Sequence, residues 1–369
     1  MHRIVVEPPK PGVHLIEDDE PRPGPNEVLV ETLEVGIDGT DLEIARGEYG
    51  AAPKGEKYLT LGHEALGRVV EVPDGSDLRV GDLVTPTVRR GCDLCLPCKS
   101  GQSDFCFTGL YRERGINGIH GFNSERWTDT EEYLVPVDSR LSEVAVITEP
   151  LSVVVKALNQ LLKIQERLPW KETEDLAEKK AFVAGSGSLG LMATFLLRVE
   201  GAEVLTMDRQ ADDGEKSRLI EGLGAHHLNA REVDPLVLAR DFDGFDIIIE
   251  ATGAPQVPFN LLPALGDNGI MVLLGVPGKK MSVEVDATAI VREMVLANQV
   301  VFGTVNSNAS HFRRALGYLR QILERYPTEI RAFISHRHPW EEYEVVFGDR
   351  GKGVIKDVLV WQEDEAAAP

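Results

Sequence analysis

The sequence predicts an α/β chain in which an irregular β-rich domain precedes a doubly wound parallel sheet. Three observations carry that expectation. The first part of the chain is dense in glycine, proline and short β-forming runs; near residue 150 the pattern changes to strands alternating with helices; and a glycine-rich turn separates the first of those strands from an apolar helix.

In the first part HRIVV, NEVLVETLEVGI, GRVVEV, DLVTPTV and EYLVPV read as strands of a mostly antiparallel sheet, with turns at the intervening prolines and glycines. A helix is expected from Leu151 to Gln165, followed by the polar connection RLPWKETEDLAEKK. Then AFVAG, EVLTMD, FDIIIEATG and GIMVLLGV give strands separated by helices, the pattern of a parallel sheet. From Ser307 to Pro369 a helix, HFRRALGYLRQILERY, and a closing strand, GVIKDVLVW, are expected to return to the first domain. The expected division is therefore 1–154 for the β-rich domain, 155–303 for the dinucleotide domain and 304–369 for the returning segment.

A chain of 369 residues suits about two domains, and 43% hydrophobic with 27% charged residues is an ordinary globular balance. Acidic residues outnumber basic ones 60 to 39, a net charge of -21 that repels nucleic acid and anionic lipid, so neither is an expected partner. No uninterrupted apolar run reaches the roughly 18 residues of a membrane span, and MHRIVVEPPKPG lacks the features of a secretory signal. The expected location is the cytoplasm, where thiols stay reduced.

The four cysteines all fall in one segment, as Cys92-x2-Cys95-x2-Cys98-x7-Cys106. That spacing predicts a closed four-thiolate zinc site that orders the 92–106 loop, with no coordination position left for substrate.

Gly185-Ser186-Gly187-Ser188-Leu189-Gly190 follows the strand KKAFVA and opens the helix LGLMATFLLRVEG. The context predicts a Rossmann-type dinucleotide turn in which backbone N–H groups and the helix N-terminus receive a pyrophosphate. The next strand ends at Asp208, placed to accept the adenosine ribose hydroxyls of NAD, whereas Arg209 offers a cation to a 2′-phosphate. The carboxylate is weighted more heavily, so NAD is expected to be preferred and NADP tolerated.

The remaining constellation is Asp38-Gly39-Thr40-Asp41, Gly62-His63-Glu64 and Glu149-Pro150. With VGIDGTDLEI, LGHEALGRVVE, the cysteine segment, ERGINGIHGF, TEPLSV, ATGAP and VNSNASHF, it resembles the zinc-dependent medium-chain dehydrogenases, most closely the archaeal-type glucose dehydrogenases. The resemblance covers nearly the whole chain and implies a GroES-like catalytic domain beside the Rossmann domain.

It implies a catalytic zinc on Asp38, His63 and Glu149, with Glu64 able to exchange as a ligand, besides the structural zinc on the cysteines. Oxygen and imidazole donors suit zinc while leaving a position open. Asp41 is expected to accept from the free ring nitrogen of His63 and Thr40 to relay a proton. Glu113, Asn306, His120, Thr40 and Glu149 are implied sugar contacts, and Thr252 and Gly253 cofactor contacts. Some relatives carry polar residues where this chain has Val88 and Leu296.

The expected function is an NAD(P)-dependent aldose 1-dehydrogenase that converts the anomeric hydroxyl to a lactone, in a homodimer or homotetramer. A zinc-dependent polyol or secondary-alcohol dehydrogenase, or a non-catalytic nucleotide-binding protein of the same fold, are the alternatives.

Overall fold

A computed structural model describes residues 1–170, 176–209, 214–278, 281–348, 351 and 353–362. The middle of the expected polar connection and the acidic run Glu363-Asp364-Glu365 lie outside the described residues. The chain divides into two compact units, one made of Met1–Ser152, Asn306–Arg320 and Ile330–Pro369, the other of Val153–Val305 and Gln321–Glu329.

The first unit is built on a seven-stranded sheet. Its main path runs Leu134–Val137, Leu83–Pro86, Glu64–Glu71, Glu27–Ile37, Lys356–Val360, Ile334–Pro339, and Arg126–Thr130 also pairs with Glu27–Ile37. The pairings are antiparallel except that of Ile334–Pro339 with Lys356–Val360. The closing strand thus sits inside the sheet, with Asp357 opposite Ile37 and Leu359 opposite Val35. Alternation along Glu27–Ile37 buries Val28, Val30, Val35 and Ile37 with Phe122, Trp127, Leu359 and Trp361 in one core. A second core gathers Val6, Ile44, Leu59, Leu61, Val88 and Ile116. Val88 is therefore an apolar packing residue rather than an open position.

The second unit is a six-stranded parallel sheet. Its order is His226–Asn229, Glu203–Asp208, Lys180–Ala184, Phe245–Glu250, Leu265–Leu273, Val300–Gly303. Counted from Lys180–Ala184 as the first, this is order 3-2-1-4-5-6, the Rossmann arrangement, whose switch point lies between the first and fourth strands. The strands are apolar almost throughout, as a sheet covered on both faces requires. Two of the six, His226–Asn229 and Val300–Gly303, are not among the expected strands, although the second, VVFG, is rich in β-forming residues.

The expected helix Leu151–Gln165 begins earlier, at Thr148, placing Glu149 in its first turn. Among the described residues the helical run Ala145–Gln165 alone is long and apolar enough to cross a membrane, and 83% of its apolar window is buried within the protein, as in a core helix.

Candidate active site

The Glu27–Ile37 strand delivers Asp38 to the start of the Gly39–Ala45 helix. Asp38 Oδ1 accepts from the N–H groups of Thr40 and Asp41 at 2.8 and 3.1 Å, and Asp41 Oδ2 accepts from Asp38 N–H at 3.2 Å. This reciprocal cap holds the Asp38 carboxylate in one orientation. Its Oδ2 lies 3.6 Å from His63 Nε2, and Thr40 Oγ1 is 3.3 Å from the same oxygen.

Asp41, fully buried, accepts from Gly62 N–H at 3.2 Å and stands 3.5 Å from His63 Nδ1. That ring nitrogen is buried without a hydrogen-bond partner. Burial alone would push the His63 pKa down, but the flanking Asp41 and Asp38 carboxylates hold it well above its ordinary value. For Asp38, burial opposes ionisation and the His63 charge overcomes it, leaving a net depression. The pocket is built for positive charge. Two donors about 2.1 Å from one tetrahedral ion lie about 3.4 Å apart, so the 3.6 Å separation of Asp38 Oδ2 and His63 Nε2 fits a shared zinc.

Asp38, His63 and Glu64 offer donor atoms that all lie within 4.8 Å of one another. Glu149 stands outside this group. Burial pushes its carboxyl up to about 8, with Glu64 and Asp38 adding to the rise and His63 and Lys356 opposing it. Both oxygens of Glu64 are held by Lys356 Nζ, at 2.6 and 2.7 Å. Gly36, opposite Glu64 on the neighbouring strand, makes room for this: a Cβ there would come within 2.2 Å of Glu64 Oε2. Lys356 was missed in the sequence; its only signal was a charged pair, Lys356-Asp357, inside the apolar strand IKDVLV.

In the lobe, Cys92 Sγ lies 3.5 Å from Cys95 Sγ and 3.8 Å from Cys98 Sγ, and Cys95 Sγ lies 3.9 Å from Cys106 Sγ. Sulfurs about 2.3 Å from a tetrahedral zinc are about 3.8 Å apart. The spacing fits a four-thiolate ion and is far from a disulfide bond. The Thr108 hydroxyl, 3.3 Å from Cys106 Sγ, pulls the Cys106 thiol down, while burial pushes Cys98 up to about 12.

Glu113 and Asn306, far apart in sequence, meet: Asn306 Nδ2 donates to Glu113 Oε1 at 2.7 Å. Asn306 adopts a left-handed backbone, φ 60°, which asparagine tolerates better than most residues. Arg89, another residue the sequence did not reveal, donates to the same Oε1 at 2.9 and 3.1 Å and stacks over Tyr111 at 3.9 Å. The donors to the Glu113 carboxylate, from Arg89 and Asn306, thus converge on one of its two oxygens. Next along the chain, Asn308 Nδ2 bonds Asp104 Oδ1 at 2.8 Å and Gln102 Oε1 at 3.1 Å, tying this segment to the cysteine loop. His120 is engaged elsewhere: Nδ1 accepts from Thr60 N–H at 3.2 Å and Nε2 pairs with Glu56 at 2.8 Å.

In the second unit Gly190 packs so tightly on the turn that a Cβ would fall 1.9 Å from Gly185 O. Gly187 caps the Ser188–Val199 helix with open space around its Cα. Ser188 Oγ, at the helix start, is buried without a hydrogen-bond partner. An open glycine, an orphan hydroxyl and a helix N-terminus fit a bound pyrophosphate, and Leu189 lies in the same first turn. Asp208 accepts from Ser186 Oγ through Oδ2 and lies 3.1 Å from His227 Nε2 through Oδ1, while Arg209 is exposed. Across the switch point, Thr252 N–H and hydroxyl donate to Glu250 Oε1, and Gly253 follows with a Cβ position 2.9 Å from Val276 O. Leu296 ends the Ala287–Leu296 helix and is 66% exposed.

A buried histidine–carboxylate cluster and a four-cysteine lobe in one unit, on a chain that also carries a Rossmann unit, define an oxidoreductase of the zinc-type medium-chain dehydrogenases. Residues 24–139 match the alcohol dehydrogenase GroES-like domain and residues 142–360 the glucose dehydrogenase C-terminus. The chain belongs to the glucose dehydrogenase family. It is 40% identical over 333 residues to a glucose 1-dehydrogenase of Methanocella arvoryzae, covering 89% of this chain and 90% of that one. A glucose dehydrogenase of Haloferax mediterranei, solved in complex with NADP, Zn and gluconolactone, superposes with a TM-score of 0.90 at 35% identity, covering 98% of this chain and 100% of that one. Galactitol-1-phosphate dehydrogenase of Escherichia coli, at 21% identity and a TM-score of 0.80 over 98% of this chain and 100% of that one, shares the fold alone.

Proposed function

We propose that this dehydrogenase oxidises the anomeric hydroxyl of aldohexoses, glucose first, to the lactone. The observation that carries the reading is the arrangement at Glu113. Arg89 and Asn306 hold Oε1 and leave Oε2 to accept from a sugar hydroxyl. A simple alcohol has no second hydroxyl to offer it. Support also comes from the relatives, which are glucose 1-dehydrogenases, and from the gluconolactone in the Haloferax structure.

Asp38, His63 and Glu149 would hold the catalytic zinc with Glu64 exchanging, and the four cysteines a second, structural zinc. Zinc supplies Lewis acidity toward the C1 oxygen, and the nicotinamide, when bound, accepts the C1 hydride. Thr40 Oγ1 donates to Asp38 Oδ2 and can in turn accept from the anomeric hydroxyl, the first step in passing that proton on to solvent. Asp41 faces His63 Nδ1 and keeps the opposite nitrogen toward Asp38. Glu113 and Asn306 orient the ring; His120, held by Thr60 and Glu56, is an outer contact at most.

The glycine turn, Ser188, Thr252 and Gly253 would receive the dinucleotide, and Asp208 favours NAD by accepting ribose hydroxyls, with NADP tolerated through Arg209. The four thiols, none in a disulfide, accord with a cytoplasmic enzyme. Exposed Val291 and Val295, four residues apart on the Ala287–Leu296 helix, offer a contact face for a homodimer or homotetramer. The test is reduction of NAD and NADP, followed by nicotinamide absorbance, on a panel of aldoses, polyols and simple alcohols. A higher specificity constant for a polyol or for ethanol than for glucose would overturn the reading.

A further inference from the structure

The strand Ile334–Pro339 is an edge of the first unit's main sheet, and its partner Lys356–Val360 lies parallel to it. His336 and His338, two residues apart, project from one face of the edge strand. Their register brings His336 opposite Asp357. His336 Nδ1 is 2.9 Å and His338 Nε2 3.7 Å from the same oxygen, Asp357 Oδ1. Donor atoms of all three residues lie within 4.8 Å of one another.

Glu342 Oε2 lies 3.4 Å from His338 Nδ1, on the ring edge opposite the Nε2 that faces Asp357. Carboxylate, imidazole and open position in line is the arrangement that orients histidine ligands on metals. Asp357 is buried with 3% of its side chain exposed, whereas His336 is 55% exposed, so an ion can enter from solvent and keep water ligands.

We propose that His336, His338 and Asp357 form a third metal site, separate from the zinc positions of the catalytic cluster and the cysteine lobe. Two imidazoles and one carboxylate select a borderline divalent transition cation, of the class of Zn2+, Ni2+ and Co2+, over the hard Mg2+ and Ca2+. The site clips the edge strand to its neighbour. That neighbour's preceding residue, Lys356, points to the other side of the strand and holds Glu64.

The experiment is calorimetric titration of Ni2+ into untagged protein adjusted to two zinc ions per chain, on the wild type, His336→Ala and His338→Ala, with thermal midpoints recorded with and without Ni2+. The expected result is one saturable Ni2+ site per chain above the zinc content. Each substitution should weaken it by about tenfold or more and abolish the Ni2+-dependent rise in midpoint, with dehydrogenase activity unchanged. No wild-type binding, superimposable isotherms for the three proteins, or loss in only one of the two variants would overturn the three-donor site.

Discussion

Lys356 Nζ lies 2.6 and 2.7 Å from the two carboxylate oxygens of Glu64, and both side chains are excluded from solvent. Neither charge is tolerable alone at that depth. Removing one partner of a buried pair typically costs about 3–5 kcal/mol, because the other is left unpaired. Lys356→Met is therefore expected to destabilise strongly, and Lys356→Met combined with Glu64→Gln to recover part of the loss. Calorimetric unfolding of the wild type, both single variants and the double variant measures the coupling; additive losses would show that the pair carries no mutual stabilisation.

The cysteine lobe is tied to the proposed sugar anchor through Asn308, two residues from Asn306, which bonds Asp104 and Gln102. Cys95→Ser or Cys98→Ser should lose one zinc per chain and lower the thermal midpoint, since a broken thiolate site forfeits folding energy. The surviving folded enzyme should show a raised KM for glucose with its NAD affinity retained. Metal analysis and steady-state kinetics on the folded fraction check both; an unchanged zinc content would refute the four-thiolate site.

What the sequence revealed and what it hid divide along one line. The cysteines and the glycines of 185–190 carry their chemistry within one short segment, so spacing alone exposes them. Asp38, His63 and Glu113 became legible through resemblance to a family. Arg89, Lys356 and His227 did not, because each reaches its partner across the fold, over 24, 292 and 19 residues respectively. Their pairing depends on strand register, which a lone charged residue does not announce. The same limit hid His226–Asn229: HHLN has none of the β-branched character that marks a strand, and the sheet rather than its own residues makes it one.

Asp38 has two tasks that substitutions can separate, since it caps the Gly39–Ala45 helix and faces His63. Asp38→Asn keeps a capping oxygen but removes the charge, so it should retain stability and lose turnover. Asp38→Ala should lose turnover and about 0.5–2 kcal/mol of stability as well. Asp38→Cys, which restores an anionic ligand, should keep the catalytic zinc. NAD binding should survive in all three, and zinc content, NAD titration and unfolding separate the effects. Full activity in Asp38→Ala would remove Asp38 from the site.

The proposed preference for NAD rests on a carboxylate that the chain itself orients. Ser186 Oγ donates to Asp208 Oδ2 and His227 Nε2 stands 3.1 Å from Oδ1, so Asp208 is held at the end of its strand rather than free to swing aside. A fixed anion opposes the 2′-phosphate of NADP by charge and accepts the hydroxyl that NAD carries there. Arg209 is exposed and could answer that phosphate only by folding back. Asp208→Asn should thus shift the ratio of specificity constants toward NADP, and His227→Ala, which removes the Nε2 contact to Asp208 Oδ1, should shift it in the same direction by a smaller factor. The measurement is kcat/KM for both dinucleotides at saturating glucose. If the wild type favours NADP by about tenfold, a difference of roughly 1.4 kcal/mol, Arg209 rather than Asp208 governs the site.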